Sequence, residues 1–360
     1  MLKTAPAVFA VEKDYQIMAE VERPSLFRVR VGDEYYYDES NGIMRSLNDL
    51  HRVIVPMEAL DKAREYTVCV RPLTERKPYF TTTEPEQEFT YKFTPVPEKD
   101  IRAYHISDAH NFIDEPVKAC KAFGDIDMLI LNGDILNHAG DPSKFENIYI
   151  ITSMITHGEK PTVFSRGNHD MRGNFAEKFA EYTPNHHGNT YYTFRLGSLW
   201  GVILDCGEDK DDSSREYGYT VYCKAFRRRQ TELLKALIDD ADNAYNAEGV
   251  TTRVVISHVP FSQRFQPPFN IEEDVYTEWC TLLRENIKPH IMITGHKHVL
   301  EFRKPGDEKD AFGQPCAVTV GAKPEENYFA GCGFVFKETE ITVAFTDSEG
   351  KTLSTHTVKK

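Results

Sequence analysis

The sequence lacks the marks of several protein classes. No apolar run approaches the ~20 residues needed to cross a bilayer. There is no internal repeat and no low-complexity segment. There is no surplus of positive charge: 43 Lys and Arg against 56 Asp and Glu leave a formal charge of −13. That weighs against a generic binder of nucleic acid or anionic membrane, since both need a basic surface. The seven cysteines (Cys69, Cys120, Cys206, Cys223, Cys280, Cys316 and Cys332) are odd in number, scattered, and never spaced as CxxC. This argues against a disulfide framework and against a zinc-cysteine site. No P-loop, GxSxG or CxxxxxR occurs, which argues against an NTPase, a serine hydrolase or a cysteine phosphatase. Met1-Leu2-Lys3-Thr4 leads to Glu12, Lys13 and Asp14 without an apolar leader, so the expected location is reducing and cytoplasmic.

What is present is ordinary globular material, 40% apolar and 28% charged over 360 residues. At about 150 residues per domain, two domains are expected. The first part reads as short strands. Phe27, Val29 and Val31 alternate with Arg28 and Arg30, the period of a half-buried strand. Tyr35–Tyr37, Val53–Val55, Tyr66–Val70 and Phe89–Phe93 continue the pattern, and Asn41-Gly42 is a turn signal. Together they predict a small antiparallel sandwich over residues 1–98. The proline-bearing stretch Thr94–Asp100 predicts a linker.

From residue 99 to 360 the rhythm is that of an α/β domain. Five apolar runs without alternation, as in strands buried on both faces, each end in polar residues. Ile101–Ile106 leads to Ser107-Asp108, and Ile126–Leu131 to Asn132-Gly133-Asp134. Pro161–Phe164 leads to Arg166-Gly167-Asn168-His169-Asp170, Val254–Ile256 to Ser257-His258, and Ile291–Ile293 to Gly295-His296-Lys297-His298. Helical patterns cover Glu115–Phe123, Phe145–Ile155, Phe226–Ala241 and Glu272–Asn286. Phe226, Leu233, Leu237 and Ala241 form the expected core stripe of the third.

In such sheets function gathers at the carboxyl ends of the strands. Those ends here carry Asp108, His110, Asp134, Asn168, His169, His258, His296 and His298. Carboxylate, amide and imidazole together suit Mn, Fe, Zn or similar ions. Asp-x-His and His-x-His put two side chains on one side of an extended segment. Each piece alone is an ordinary turn residue; five strand ends so furnished are not.

The ordered set Asp108-x-His110, Gly133-Asp134, Gly167-Asn168-His169-Asp170, Ser257-His258 and Gly295-His296-x-His298 resembles the calcineurin-like metallophosphoesterase family over residues 101–300. The resemblance implies a four-layer α-β-β-α sandwich, here preceded by a small all-β, fibronectin type III-like domain. It implies two divalent or trivalent ions (Mn, Fe, Zn or a mixture). Asp108, His110 and His298 would hold the first, Asn168, His258 and His296 the second, and Asp134 would bridge them. His169 would stand beside the scissile phosphate. A hydroxide formed on the ions would attack phosphorus in line, without a covalent enzyme intermediate. A β-sandwich before this domain is also similar to purple acid phosphatase-like proteins. That group, however, has a tyrosine ligand where Asn137 stands and glycine where His110 stands, so no tyrosinate-iron centre is expected.

His138, Arg166 and Arg172 are the further candidates for holding phosphate. Glu208–Asp212 reads as a solvated acidic loop and Arg227-Arg228-Arg229 as a solvated helix face. Tyr217, Tyr219 and Tyr222 read as packing between layers, and Phe265–Phe269 as a wall of the site. The expected substrate is a soluble small-molecule phosphomonoester or phosphodiester, nucleotide-like molecules included. Neither long nucleic acid nor membrane is an expected partner. The alternative is a catalytically silent scaffold or partner-binding protein on the same fold.

Overall fold

A computed structural model describes residues 1–40 and 42–360; the Asn41 half of the predicted Asn41-Gly42 turn lies outside them. Two sheets face each other across the core. The larger places Ile101–Ile106, Met128–Asn132 and Pro161–Ser165 side by side in parallel. The smaller aligns Leu199–Leu204, Thr252–Ser257, Ile291–Thr294 and Ala317–Gly321, again in parallel. Met128 and Ile130 pack inward with Val254, Ile256, Ile291 and Ile293 of the facing sheet. Their neighbours Leu129 and Leu131 pack outward with Ile148, Tyr149 and Ile151 of helix Glu146–Thr156. This double burial is why the strands read as unbroken apolar runs. On the other outer face, Val275, Tyr276, Trp279 and Cys280 of helix Glu273–Leu282 cover Val202, Leu204 and Val255. The layers are therefore α-β-β-α, as expected.

The N-terminal region is all-β, but it does not stand apart. Strand Ala7–Val11 pairs in parallel with Pro161–Ser165, Val8 opposite Pro161. Asp14–Glu20 and Leu50–Pro56 follow it, so all three extend the larger sheet. A second sheet of Gln87–Lys92, Glu65–Glu75, Ser25–Val31 and Glu34–Tyr37 packs over them through Phe27, Val29, Val68 and Val70. The structure adds this one parallel pairing, with Pro161–Ser165, to the expected small antiparallel sandwich. One of its walls is the edge of the α/β sheet, and the chain position 98/99 falls between strands without separating the sheets. Strand Ser25–Val31 alternates buried and half-buried residues throughout, as its sequence predicts.

Helix Cys223–Asp239 differs from expectation. Its buried face is Cys223, Arg227, Gln230, Thr231 and Leu234, and the Phe226–Leu233–Leu237–Ala241 stripe is only half-buried. Arg227 is fully buried and not part of a solvated face. Tyr219 and Tyr222 are exposed, not packed between layers, while Tyr217 is buried. Among the described residues no helix is long and apolar enough to cross a membrane.

Candidate metal centre

Parallel strands bring their carboxyl ends to one edge of each sheet. Asn132 joins the two edges. Its Nδ2 donates to the carbonyls of Ser257 (3.3 Å) and Ile293 (3.2 Å) in the facing sheet. Its own carbonyl lies 2.8 Å from His258 Nδ1. A carbonyl only accepts, so Nδ1 carries the proton and Nε2 faces the centre.

The turns that follow are tight. Gly133 has φ +77°, and a Cβ there would stand 2.6 Å from the Gly167 backbone and 2.7 Å from His258 Nδ1. Asp108, His110, Asp134, His296 and His298 all adopt positive φ, between 46° and 71°. That region is unfavourable for side chains other than glycine and is tolerated where surrounding structure over-determines it.

Two groups of ligand atoms result. Asp108, His110 and His298 form one, and Asp134, His258 and His296 the other, each with its atoms within 4.8 Å of one another. His110 Nε2 and His298 Nε2 are 3.0 Å apart. Two nitrogens each about 2.1 Å from one ion and at right angles to it are separated by that much. Asn168 Oδ1 lies 2.9 Å from His296 Nδ1, which adds the amide to the second group. His258 Nε2, fully buried, lies 3.0 Å from Asp134 Oδ2 without an aligned hydrogen bond. It also lies 3.7 Å from Asp108 Oδ1, so the two groups adjoin. Unspent lone pairs in a cluster of this composition, buried at Asp108, Asp134 and His258 and open at His298, fit metal ions.

Electrostatics point the same way. Burial opposes charge on Asp108 and Asp134, yet His258 and the other imidazoles hold both carboxyls below their usual range. Burial opposes charge on His258 too, but Asp134 and Asp108 push it up to about 10. A centre that raises a histidine this far with carboxylates is a strongly negative cavity suited to cations. Asp170 ties the ligand loops together: its Oδ2 accepts from the backbone N–H of Gly167 (2.9 Å) and Asp134 (3.1 Å). Burial and then Asp134 push its carboxyl up to about 7.

His169 borders the centre. Its backbone N–H donates to Asp134 Oδ1 (2.8 Å), and its Nδ1 lies 2.7 Å from the Asn137 carbonyl. The carbonyl again fixes the proton on Nδ1 and leaves Nε2 facing outward, 3.9 Å from Asp134 Oδ2. Of the three phosphate candidates, Arg172 reaches His169 Nε2 through Nη1 at 3.3 Å. The rest of its fork is taken by Glu208 and Asp209. Arg166 is committed to buried Asp205 at 2.7 Å and lies over the Phe226 ring. His138 is exposed, its Nδ1 accepting from Gly140 N–H. Phe265 meets His296 edge-on, with ring centres 5.8 Å apart, as a wall residue would.

The supposed solvated loop Glu208–Asp212 is in part interior. Glu208 is buried, and Asp209 touches Asn168. Arg227 explains why: its Nε donates to the Cys206 carbonyl at 2.7 Å and its Nη2 to that of Glu208. Neither role has a local sequence signal, because an acidic run and an arginine triplet most often face solvent.

A family model described as calcineurin-like phosphoesterase matches residues 101–300. No curated protein matches the sequence. Purple acid phosphatase PPD1 from yellow lupin (Lupinus luteus) seeds is similar in structure, with a TM-score of 0.60 and 13% identity. The match covers 99% of this chain and 74% of that one. Vacuolar Protein Sorting 29 from Cryptosporidium parvum shows a TM-score of 0.38 at 11% identity, over 73% of this chain and 100% of its own. At 13% identity the likeness to the lupin enzyme concerns the fold.

Proposed function

From the premise that the chain belongs to the calcineurin-like phosphoesterase family, we propose that it is a dinuclear metal-dependent phosphoesterase. Its substrate would be a phosphomonoester or phosphodiester of a soluble small molecule. The observation that carries this is the pair of adjoining ligand groups, with His258 Nε2 set between Asp134 and Asp108. Asp108, His110 and His298 would hold one ion. Asn168, His258 and His296 would hold the other, with Asp134 shared. When bound, such ions supply Lewis acidity toward phosphoryl oxygens and make water nucleophilic near neutral pH.

The chain's own residues supply the rest. Asn132 and Asn137 fix the tautomers of His258 and His169 through backbone carbonyls. His169 Nε2 is presented at the rim of the centre beside Arg172 Nη1. With Nδ1–H held by the Asn137 carbonyl, it would donate to the leaving oxygen only as the imidazolium, with a second proton on Nε2 in place of the Arg172 contact. The strained turns hold the ligands without further adjustment on substrate binding. The net charge of −13 disfavours long polyanions, which supports a small substrate.

The test is hydrolysis of bis(p-nitrophenyl) phosphate and p-nitrophenyl phosphate after reconstitution with Mn²⁺, Fe²⁺ or Zn²⁺. Turnover should depend on added metal. His169→Ala should lower kcat by about 10²–10⁴ with metal content unchanged, and Asp134→Asn should lower metal content as well. Two ions bound per chain with no turnover on either ester would overturn the enzymatic reading and leave a scaffold.

A further inference from the structure

The loop after strand Leu199–Leu204 carries groups that no ligand motif includes. Asp209 points one carboxylate oxygen, Oδ2, at Asn168 Nδ2, 3.4 Å away. Its other oxygen, Oδ1, accepts from Arg172 Nη2 (2.9 Å), the Tyr217 hydroxyl (2.9 Å) and Lys210 Nζ (3.3 Å). Three donors on one oxygen fix the rotamer and leave Oδ2 for the amide. Behind it, the Glu208 carboxylate grips Arg172 at 3.0–3.2 Å through three contacts, and Arg227 anchors the loop backbone from inside the fold.

An asparagine ligand has an ambiguity that a carboxylate lacks. One end of its amide carries lone pairs for an ion; the other carries hydrogens that repel one. A carboxylate only accepts, so the end of Asn168 facing Asp209 must be the NH₂. Oδ1 is then turned to His296 Nδ1, 2.9 Å away. We propose that Asp209 is a positioning residue that sets the amide of ligand Asn168 with its oxygen toward the second ion site. It touches neither substrate nor ion and acts through Asn168. The inference rests on the metal-dependent reading above.

A double-mutant cycle on the full-length chain tests it, read as Mn²⁺ affinity by titration with detection of free Mn²⁺ by electron paramagnetic resonance. In the wild-type background, Asp209→Ala should weaken one of two Mn²⁺ equivalents ten- to a hundredfold, the usual effect of losing a partner behind a ligand, and leave the other unchanged. In an Asn168→Asp background there is no amide to orient, and two carboxylates would face each other. There Asp209→Ala should cost nothing or should tighten binding. Asn168→Ala, which also has no amide, gives the same expectation should the Asn168→Asp variant not fold.

Equal losses in both backgrounds would assign Asp209 a merely structural role and overturn the proposal. So would the absence of loss in the wild-type background. The readout is independent of turnover. A chain that binds Mn²⁺ as expected but hydrolyses nothing would refute the enzymatic reading while the cycle still decides on Asp209.

Discussion

At the scale of single residues, the centre depends on backbone that most residues avoid. Five of the proposed ligands hold positive φ, and they do so because neighbouring turns leave no other path. Gly133 shows the constraint most directly. At φ +77°, with the Gly167 backbone 2.6 Å from where a Cβ would be, no side chain fits without moving a ligand loop. Gly133→Ala should therefore cost more than about 2 kcal/mol of stability, combining left-handed strain with a backbone clash. It should also reduce metal content, since His258 Nδ1 is the next atom displaced. Denaturant midpoints and metal analysis on the same preparation would check both; unchanged values in each would show that the turn is more compliant than its geometry.

At the scale of elements, helix Cys223–Asp239 and strand Asp14–Glu20 each carry a charge out of water. Arg227 lies in the buried face of the helix, bonded to the carbonyls of Cys206 and Glu208 and 3.4 Å from Glu272. Removing it leaves two carbonyls and a buried carboxylate without a partner. Arg227→Met should cost about 3 kcal/mol, whereas Arg228→Ala, on an exposed pair with Asp274, should stay within about 0.5 kcal/mol. Chemical denaturation of the two variants decides; equal effects would contradict the packing described. Glu20 closes its strand with Oε2 lacking a hydrogen-bond partner and Lys3 Nζ 3.9 Å away. Burial, aided by Glu146 and Asp49 against Lys3, pushes its carboxyl up to about 7. A folded pKa above the unfolded one gives stability that is present below the unfolded value, about 4.5, and is lost as pH rises through about 7. Glu20→Gln should hence raise the unfolding free energy at pH 8, by about 1–3 kcal/mol, and change it little at pH 5. A gain equal at both pH values would place the cause elsewhere.

These elements also show what was legible in the sequence. The clustering of the candidate ligands was, because metal chemistry admits few residue types and the strand ends displayed them after apolar runs. That the five runs are strands buried on both faces was legible from the same pattern; their order in the sheets was not. Arg227 and Asp209 were not legible, because a charged residue on a helix or in an acidic loop looks the same whether it faces water or a buried partner. Nor was the pairing of Ala7–Val11 with Pro161–Ser165: parallel pairing over such a separation leaves no local pattern in either strand.

At the scale of the whole molecule, that pairing makes the two regions one structure. Phe9 of the first strand meets Phe164 at 6.2 Å between ring centres, inside the core beneath helix Glu146–Thr156. Gln16 exchanges hydrogen bonds with the backbone of Asn185 (2.7 and 3.2 Å). Arg52 donates to the carbonyls of Ala180 and Thr183 (2.6 Å each), and Glu12 accepts from the backbone and hydroxyl of Thr193. All of these land on residues 164–193, the segment that contains Asn168 and His169. Deleting residues 1–98 would strip strand Pro161–Ser165 of one neighbour, open its edge to other chains, and unpin the segment behind the ligand loop. The fragment 99–360 should accumulate as aggregate or show no cooperative unfolding, with Mn²⁺ binding lost. The full chain should unfold in a single calorimetric transition. A soluble 99–360 fragment with full-length Mn²⁺ affinity and turnover would show instead that the α/β layers stand alone and that the N-terminal strands merely lean on them.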